Sequence, residues 1–214
     1  MSSFWWAGLL VPSLACAALS EEEMFFKGVA EVNDGDLRFL SEAPQIPVHH
    51  HQNQITLTTD SLVNGWAKLE QCHHHLDPVP DMQIVYGQDR IRNLTIVRSE
   101  NIGHTWVHEN TVQMTQVARN ALICIAAETR ALVANDNNSY SLTNGPYMRR
   151  FLDGYYPMQV SMRVLMQAPG LRFVDISPAP QMGFTLHQTP VEVGYKALFE
   201  GALRTTIRFS YTPH

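Results

Sequence analysis

Histidine supplies the most unusual chemistry in this 214-residue sequence. Ten histidines are present, and six of them form two triplets, His49-His50-His51 and His73-His74-His75. The neutral imidazole ring is a common protein ligand for zinc and copper. Alternate residues of a strand share one face, so an extended chain would present the first and third histidine of each triplet together.

These alternate histidines form a candidate metal site, made of His49, His51, His73 and His75. Strands that pair with one another would bring ring nitrogens of both triplets to within about 3–4 Å, close enough to hold one ion. Copper or zinc is the ion we expect there, although nothing in the sequence requires a cofactor. The alternative is that the histidines are ordinary polar surface residues, because both triplets adjoin proline-rich loops.

Cys72 precedes the second triplet and has one obvious partner. If an N-terminal leader is removed, Cys72 and Cys124 are the two cysteines that remain. In an oxidising compartment such a pair most simply forms a disulfide. The bridge would close a loop of 52 positions and stabilise the fold by about 4 kcal/mol in the chain-entropy model. The alternative is two separate buried thiols, because Cys124 lies in the apolar run LICI.

A second candidate site lies at residues 144–157, NGPYMRRFLDGYYP. Aromatic rings supply flat contact area and arginines supply paired hydrogen-bond donors, a combination typical of recognition surfaces. We predict that this segment binds a ligand or partner through Tyr147, Arg149, Arg150, Tyr155 and Tyr156. The alternative is a lid over one end of the fold, with Phe151 and Leu152 tucked inward and Arg149 paired with Asp153.

Recognisable catalytic motifs are absent from the sequence. It contains no G-x-S-x-G, H-E-x-x-H, C-x-x-C, P-loop or G-x-G-x-x-G pattern. We therefore assign no catalytic residue and favour a protein without catalytic chemistry. A hydrolase whose site is assembled across strands remains an alternative, with His104 and His108 as residues that could assist through a metal.

The elements that must position these residues are strands. Residues 156–166 alternate between apolar and polar side chains, and residues 203–211 repeat the pattern. Ten or more short strands, punctuated by turn residues, predict an all-β fold: an antiparallel β-sandwich or a pair of β modules. The sequence resembles an immunoglobulin-like sandwich in general architecture only, because Leu122 stands where that family places a tyrosine, two residues before Cys124.

One short helix is expected within this β fold, at residues 146–152. Asn144 is suited to cap its start, Pro146 suits its first turn, and Gly154 is suited to end it. The helix would form the centre of the arginine- and tyrosine-rich segment.

An internal repeat is a further hypothesis. Segment 44–65 matches segment 180–201 at five positions, which suggests a duplicated hairpin unit at residues 37–71 and 171–207. The alternative is that two proline-bounded hairpins look alike for general reasons.

The N-terminal segment indicates export. Residues 4–19 are nearly all apolar but fall short of the ~20 residues that span a membrane, and Ala15-Cys16-Ala17 fits a signal-peptidase site. We expect residues 1–17 to be a signal peptide and residues 18–214 to form a periplasmic or secreted β-sandwich domain without a stable membrane span. An uncleaved anchor and lipid attachment at Cys16 are the alternatives.

The composition limits the classes of function that this protein can have. With 45% apolar and 16% charged residues, the chain has enough apolar content for a packed core, and its net charge of −5 argues against nucleic-acid binding. The sequence therefore predicts an exported binding or accessory protein of the cell envelope, whose partner is an unidentified envelope protein or a small ligand. A copper- or zinc-binding protein and a hydrolase are the alternatives.

Overall fold

Residues 35–213 are described by the structure, a computed structural model. Strands make up most of this region, which confirms the predicted all-β fold. Their bounds are β1 Arg38–Phe39, β2 His50–Leu57, β3 Trp66–Leu76, β4 Val79–Val85, β5 Ile91–His108, β6 Thr111–Arg130, β7 Leu132–Ala134, β8 Ser139–Tyr147, β9 Arg149–Phe151, β10 Gly154–Tyr156, β11 Met158–Met166, β12 Leu171–Ser177, β13 Phe184–Thr189, β14 Glu192–Glu200 and β15 Leu203–Tyr211. The helical elements described are α1, Thr59–Asn64, and a 3₁₀ turn, Gln88–Arg90.

Alternation of apolar and polar residues produces these strands, because each strand turns one face to the core. The buried side chains of β11 are Met158, Val160, Met162, Val164 and Met166. Those of β15 are Leu203, Thr205, Ile207 and Phe209. Burying each large apolar side chain contributes about 1.5–3 kcal/mol, so these two strands anchor the core.

The larger sheet contains nine strands. Along its centre, β14 pairs with β11, β11 with β2, β2 with β3, and β3 with β6. β1 and β13 both pair with β14 at one edge. At the other edge β5 runs along β6, whose opposite side pairs with β4 and β3 in succession. β2 and β3 therefore lie in the interior of the sheet.

A four-stranded sheet, in the order β12–β15–β8–β7, forms a second layer. Its buried side chains, including Leu142 and Phe209, belong to the same hydrophobic core as Val160 and Phe199 of the larger sheet. Two sheets that share one core form a β-sandwich, the predicted architecture.

One strand pair departs from the predicted antiparallel arrangement. β2 and β11 run parallel, with His50 opposite Gln159 and Leu57 opposite Met166. Parallel neighbours require a long crossover connection, which a hairpin turn cannot supply. The chain from β3 to β10 provides that connection, and its path includes β8 of the smaller sheet.

The helix predicted at residues 146–152 is wrong. β8 remains extended to Tyr147, which pairs with Leu203 of β15. β9 and β10 then form a hairpin, with Arg149 opposite Tyr156 and Arg150 opposite Tyr155. Strand pairing satisfies the backbone of this aromatic segment and overrides a helix of two turns, which is marginal by itself.

The short helix lies instead at α1, between β2 and β3. Thr58 caps its first turn together with Ser61. Gly65 ends it in the left-handed conformation, with φ of 77°. The pair Asn64-Gly65 is also typical of hairpin turns, but the same conformational freedom of glycine lets it end a helix.

The predicted disulfide is confirmed. Cys72 of β3 is bonded to Cys124 of β6, and their Cα atoms are 4.1 Å apart. The two residues are direct partners in the antiparallel register. The bond therefore fastens β3 to β6 next to the second histidine triplet.

Three other predictions concern the signal peptide, membrane spans and the internal repeat. The signal peptide at residues 1–17 lies outside the described residues. In the part of the chain that the structure describes, no helix is long and apolar enough to cross a membrane. The duplication remains a prediction: unit 37–71 contains β1, β2, α1 and part of β3, whereas unit 171–207 contains β12, β13, β14 and part of β15.

Loss of the disulfide should lower the free energy of unfolding by about 4 kcal/mol, because the bond closes a loop of 52 positions in the unfolded chain. Urea unfolding of the wild type and of a Cys72→Ala/Cys124→Ala double variant measures the difference. If the wild type and the double variant unfold with equal free energies, the crosslink does not constrain the unfolded chain.

Candidate functional site

Polar side chains occupy part of the inner face of the larger sheet. On β2, Asn53 is buried in the same alternating set as Ile55 and Leu57. On β3, Gln71 and His73 are buried in the same set as Leu69. The apolar half of each strand fixes which face is buried, so the polar half is carried into the interior with it.

The register places these polar residues directly opposite one another. Asn53 is the partner of Gln71, and His51 is the partner of His73. Opposite side chains of an antiparallel pair lie about 4.5–5.5 Å apart at Cβ, so their polar groups meet.

Hydrogen bonds join this inner face to the smaller sheet. Tyr86 donates to Gln71, the Gln71 amide donates to Asn53 over 2.8 Å, and the Asn53 amide donates to the Tyr147 hydroxyl over 3.1 Å. Tyr147 is hydrogen-bonded to Tyr195, whose hydroxyl lies 2.9 Å from that of Thr205. We call these six residues the polar seam: Tyr86, Gln71, Asn53, Tyr147, Tyr195 and Thr205.

His49, His51 and His73, which we call the histidine trio, lie at one end of the polar seam. His49 Nε2 is 3.0 Å from His73 Nδ1. The His51 and His73 rings are stacked with their centroids 4.2 Å apart, and the edge of the His51 ring meets Tyr147 at 5.0 Å. Both triplets therefore contribute to one cluster, as their alternation along paired strands indicated.

Burial keeps the trio uncharged. Desolvation lowers the pKa of His49 to about 4 and that of His51 to about 3. It lowers the pKa of His73 well below the ordinary value, and the neighbouring imidazoles lower it further. All three rings are neutral at pH 7, so each has one nitrogen lone pair, and either His49 or His73 uses its lone pair to accept the hydrogen bond between them.

A cavity of about 420 Å³ adjoins the trio and the polar seam. Its walls come from β2 and β3 on one side and from β8 on the other, with the turn before β5 closing one edge. Met148 and Met158 add thioether surface to the lining, and Arg90 is its charged residue. Binding sites for small ligands commonly combine such apolar walls with a few placed polar groups.

Three buried polar atoms of the cavity lining lack hydrogen-bond partners within residues 35–213. They are His51 Nε2, His73 Nε2 and Asn144 Nδ2. A buried polar atom without a partner costs about 1–3 kcal/mol, so native proteins contain few of them. Three of the four such atoms in the described residues belong to this lining, and the fourth, His74 Nε2, lies on the other face of β3.

The remaining members of the two triplets face the other way. His50, His74 and His75, the outer histidines, lie on the opposite side of the sheet from the trio, and the rings of His50 and His74 stack at 5.6 Å. His75 adopts φ of 54° at a bulge in β3 and is exposed. The structure therefore brings three of the four proposed metal ligands together and places His75 elsewhere.

One outer contact pairs a nucleophile type with a base type. His50 Nε2 lies 2.8 Å from Ser161 Oγ. Burial, the outer histidines and Lys196 lower the pKa of His50 to about 4, which makes the imidazole a weak base at neutral pH. The pair therefore gives little support to the hydrolase alternative, and His104 and His108 are exposed residues of β5.

Four of the five proposed recognition residues of segment 144–157 share the β9–β10 hairpin, and the fifth, Tyr147, lies apart from them. Tyr147 is buried in the polar seam, whereas Arg150 is exposed on the β9–β10 hairpin with its guanidinium 5.5 Å from the Tyr155 ring. Arg149 forms a two-point ion pair with Asp77, at 2.6 and 3.0 Å, and lies 5.7 Å from the Tyr156 ring.

The lid alternative was wrong in its details. Phe151 and Leu152 are exposed rather than tucked inward. Arg149 pairs with Asp77 instead of Asp153, because the hairpin replaces the helix that would have placed residues four apart on one face. This ion pair lies close enough to His49 for both charges to influence its pKa.

Asn53, Gln71, Tyr86 and Tyr195 are functional candidates that the sequence analysis missed. The signal for Asn53 and Gln71 was present, since both are in phase with buried leucine and isoleucine positions of their strands. No local pattern identifies Tyr86 or Tyr195, because their contacts depend on how distant strands pack.

Comparison with known proteins shows no close relative. No family model and no curated protein match the sequence. Among solved structures two chains match, and one is a variant of a two-domain M1 zinc metallopeptidase bound to L-tryptophan. That match has 11% identity and a TM-score of 0.40, and it covers 84% of this chain. This chain spans 43% of that protein's length, and the similarity carries no argument about function.

The buried trio predicts acid sensitivity. Above pH 6.5, the ordinary histidine pKa, neither the folded nor the unfolded state is protonated at these rings, and stability is complete. Below pH 6.5 these histidines become protonated in the unfolded chain but stay neutral in the folded chain. We therefore expect the free energy of unfolding to fall by about 1–2 kcal/mol per histidine between pH 7 and pH 5. Urea unfolding at both pH values measures the loss.

A His51→Leu variant is the control for this prediction, because it removes one of the contributing rings. Its stability should fall less steeply between pH 7 and pH 5 than that of the wild type. Equal slopes would show that the fold does not hold His51 neutral.

Proposed function

We propose that this protein is an exported binding protein of the cell envelope, periplasmic or secreted, which holds a small ligand in the cavity beside the histidine trio and performs no chemistry of its own. The observation that carries the proposal is the group of unpartnered buried atoms at that cavity, His51 Nε2, His73 Nε2 and Asn144 Nδ2. A bound ligand would supply the hydrogen bonds or coordination that these atoms lack.

The proposal of export rests on the cysteine chemistry together with the apolar N-terminal sequence. The disulfide between Cys72 and Cys124 is typical of proteins from an oxidising compartment. The apolar run at residues 4–19 and the small residues Ala15-Cys16-Ala17 within it supply the features of a leader peptide.

The energetics of the site favour binding over a purely structural role. Polar groups in a core stabilise a fold only when every one of them is satisfied, and the cavity wall retains three that are not. An apolar residue of similar volume would pack there without this cost. The polar groups of the cavity wall therefore fit a ligand-binding role better than a purely structural one.

A His51→Leu variant separates these roles. The substitution removes an unpartnered buried nitrogen, so we expect the free energy of unfolding at pH 7 to stay the same or to rise by about 1 kcal/mol. The same variant should lose ligand binding, because it removes one of the contacting atoms. Exposed His104, changed to leucine, is the matched control and should change neither property.

Melting temperatures with millimolar imidazole, acetamide and free amino acids measure binding, since a ligand of the folded state raises the melting temperature in proportion to ln(1 + [L]/Kd). We expect at least one of these probes to stabilise the wild type and the His104→Leu variant but not the His51→Leu variant. Failure of every probe, or equal stabilisation of all three proteins, would count against a binding role for this cavity.

A further inference from the structure

We propose that the ligand of this cavity is a late transition metal ion such as zinc or copper, bound by the imidazoles of His49, His51 and His73. The inference rests on the proposed binding function and adds the chemical class of the ligand. It excludes His75, which the sequence analysis had included, because that residue is exposed on the bulge of β3.

The separation of two nitrogens is the first geometric support. His49 Nε2 and His73 Nδ1 are 3.0 Å apart. Two imidazole nitrogens bound to one zinc ion at about 2.05 Å, in a tetrahedral arrangement, are separated by about 3.3 Å. An ion could take the place of this hydrogen bond if the donor ring carries its proton on its other nitrogen and both rings turn until their lone pairs converge on the ion.

A third nitrogen is available beside this pair. The His51 ring stacks on His73 at a centroid distance of 4.2 Å, and its Nε2 atom is buried without a partner. His73 itself is 6% exposed and its Nε2 atom is also unpartnered. The cluster thus contains two ring nitrogens, His51 Nε2 and His73 Nε2, that no described protein group satisfies.

Rotation of side chains is needed to complete the site. Within residues 35–213, no three His, Cys, Asp or Glu side chains already form a set that could hold a metal ion. The His51 and His73 rings lie face to face, so His51 must turn its nitrogen toward the His49–His73 edge. The backbone can stay in place, because β2 and β3 are paired at His51 and His73 and the disulfide fastens β3 at the next residue.

The donor atoms of the cavity lining determine which class of metal ion the site favours. The cavity lining contains imidazoles and the thioethers of Met148 and Met158, but no aspartate or glutamate. Calcium and magnesium prefer oxygen ligands, whereas zinc and copper prefer nitrogen and sulfur.

Isothermal titration of the full chain, purified without a histidine tag, with zinc chloride and with copper(II) sulfate tests the proposal. We expect one ion per chain, and imidazole ¹⁵N shifts at the three trio residues when zinc is added. His73→Phe and His49→Leu should each weaken binding by at least about 100-fold. His74→Ala is the matched control, because it removes the next histidine of β3 on the outer side, and it should bind as the wild type does.

The proposal is overturned if neither metal binds with one ion per chain, or if binding survives His49→Leu and is lost in His74→Ala. The ¹⁵N shifts of the wild type give the same answer without a variant, should His73→Phe fail to fold. If the metals fail while imidazole or an amino acid stabilises the wild type through His51, the metal assignment is wrong and the proposed binding function stands. If neither metals nor small molecules bind, both the metal assignment and the proposed binding function are wrong.

Discussion

The register between β2 and β3 is the constraint on which the rest of the site depends. Because side chains alternate, a shift of one residue would turn His51, Asn53 and Gln71 out to solvent and expose the leucines in phase with them. Ile55 and Leu57 are essentially fully buried, so such a shift would cost several kcal/mol. The apolar ends of these strands thereby hold the polar ends inside the sandwich.

Two further interactions reinforce that register. The disulfide joins Cys72 to Cys124 one residue away from His73, on the opposite face of β3. The polar seam then ties Asn53 and Gln71 to Tyr147 of the smaller sheet, so the two layers are matched by hydrogen bonds as well as by apolar contact. A network of this kind rigidifies a core when it is satisfied, and the unpartnered buried atoms belong to residues outside the seam: His51, His73, His74 and Asn144.

Much of this arrangement was predictable from the sequence. Alternation identified most of the strands, and the parity of the two triplets predicted that His49, His51 and His73 would meet, together with His75. The β9–β10 hairpin was not predictable, because local signals at Asn144, Pro146 and Gly154 favour a helix. Pairing with β15 keeps β8 extended to Tyr147, and β9 and β10 then pair with each other. His75 was misplaced because a bulge, invisible in the sequence, breaks the alternation of β3 after His74. Tyr86 and Tyr195 reach the seam through tertiary packing that no local pattern encodes.

The central claim of this account is that the fold holds three adjacent imidazoles inside the sandwich in their neutral form. Imidazole ¹⁵N chemical shifts of the metal-free protein at pH 5.5 test it most directly. The account predicts neutral-ring shifts for His49, His51 and His73, with a proton shared between His49 Nε2 and His73 Nδ1. Imidazolium shifts at any of these three residues at that pH would contradict it.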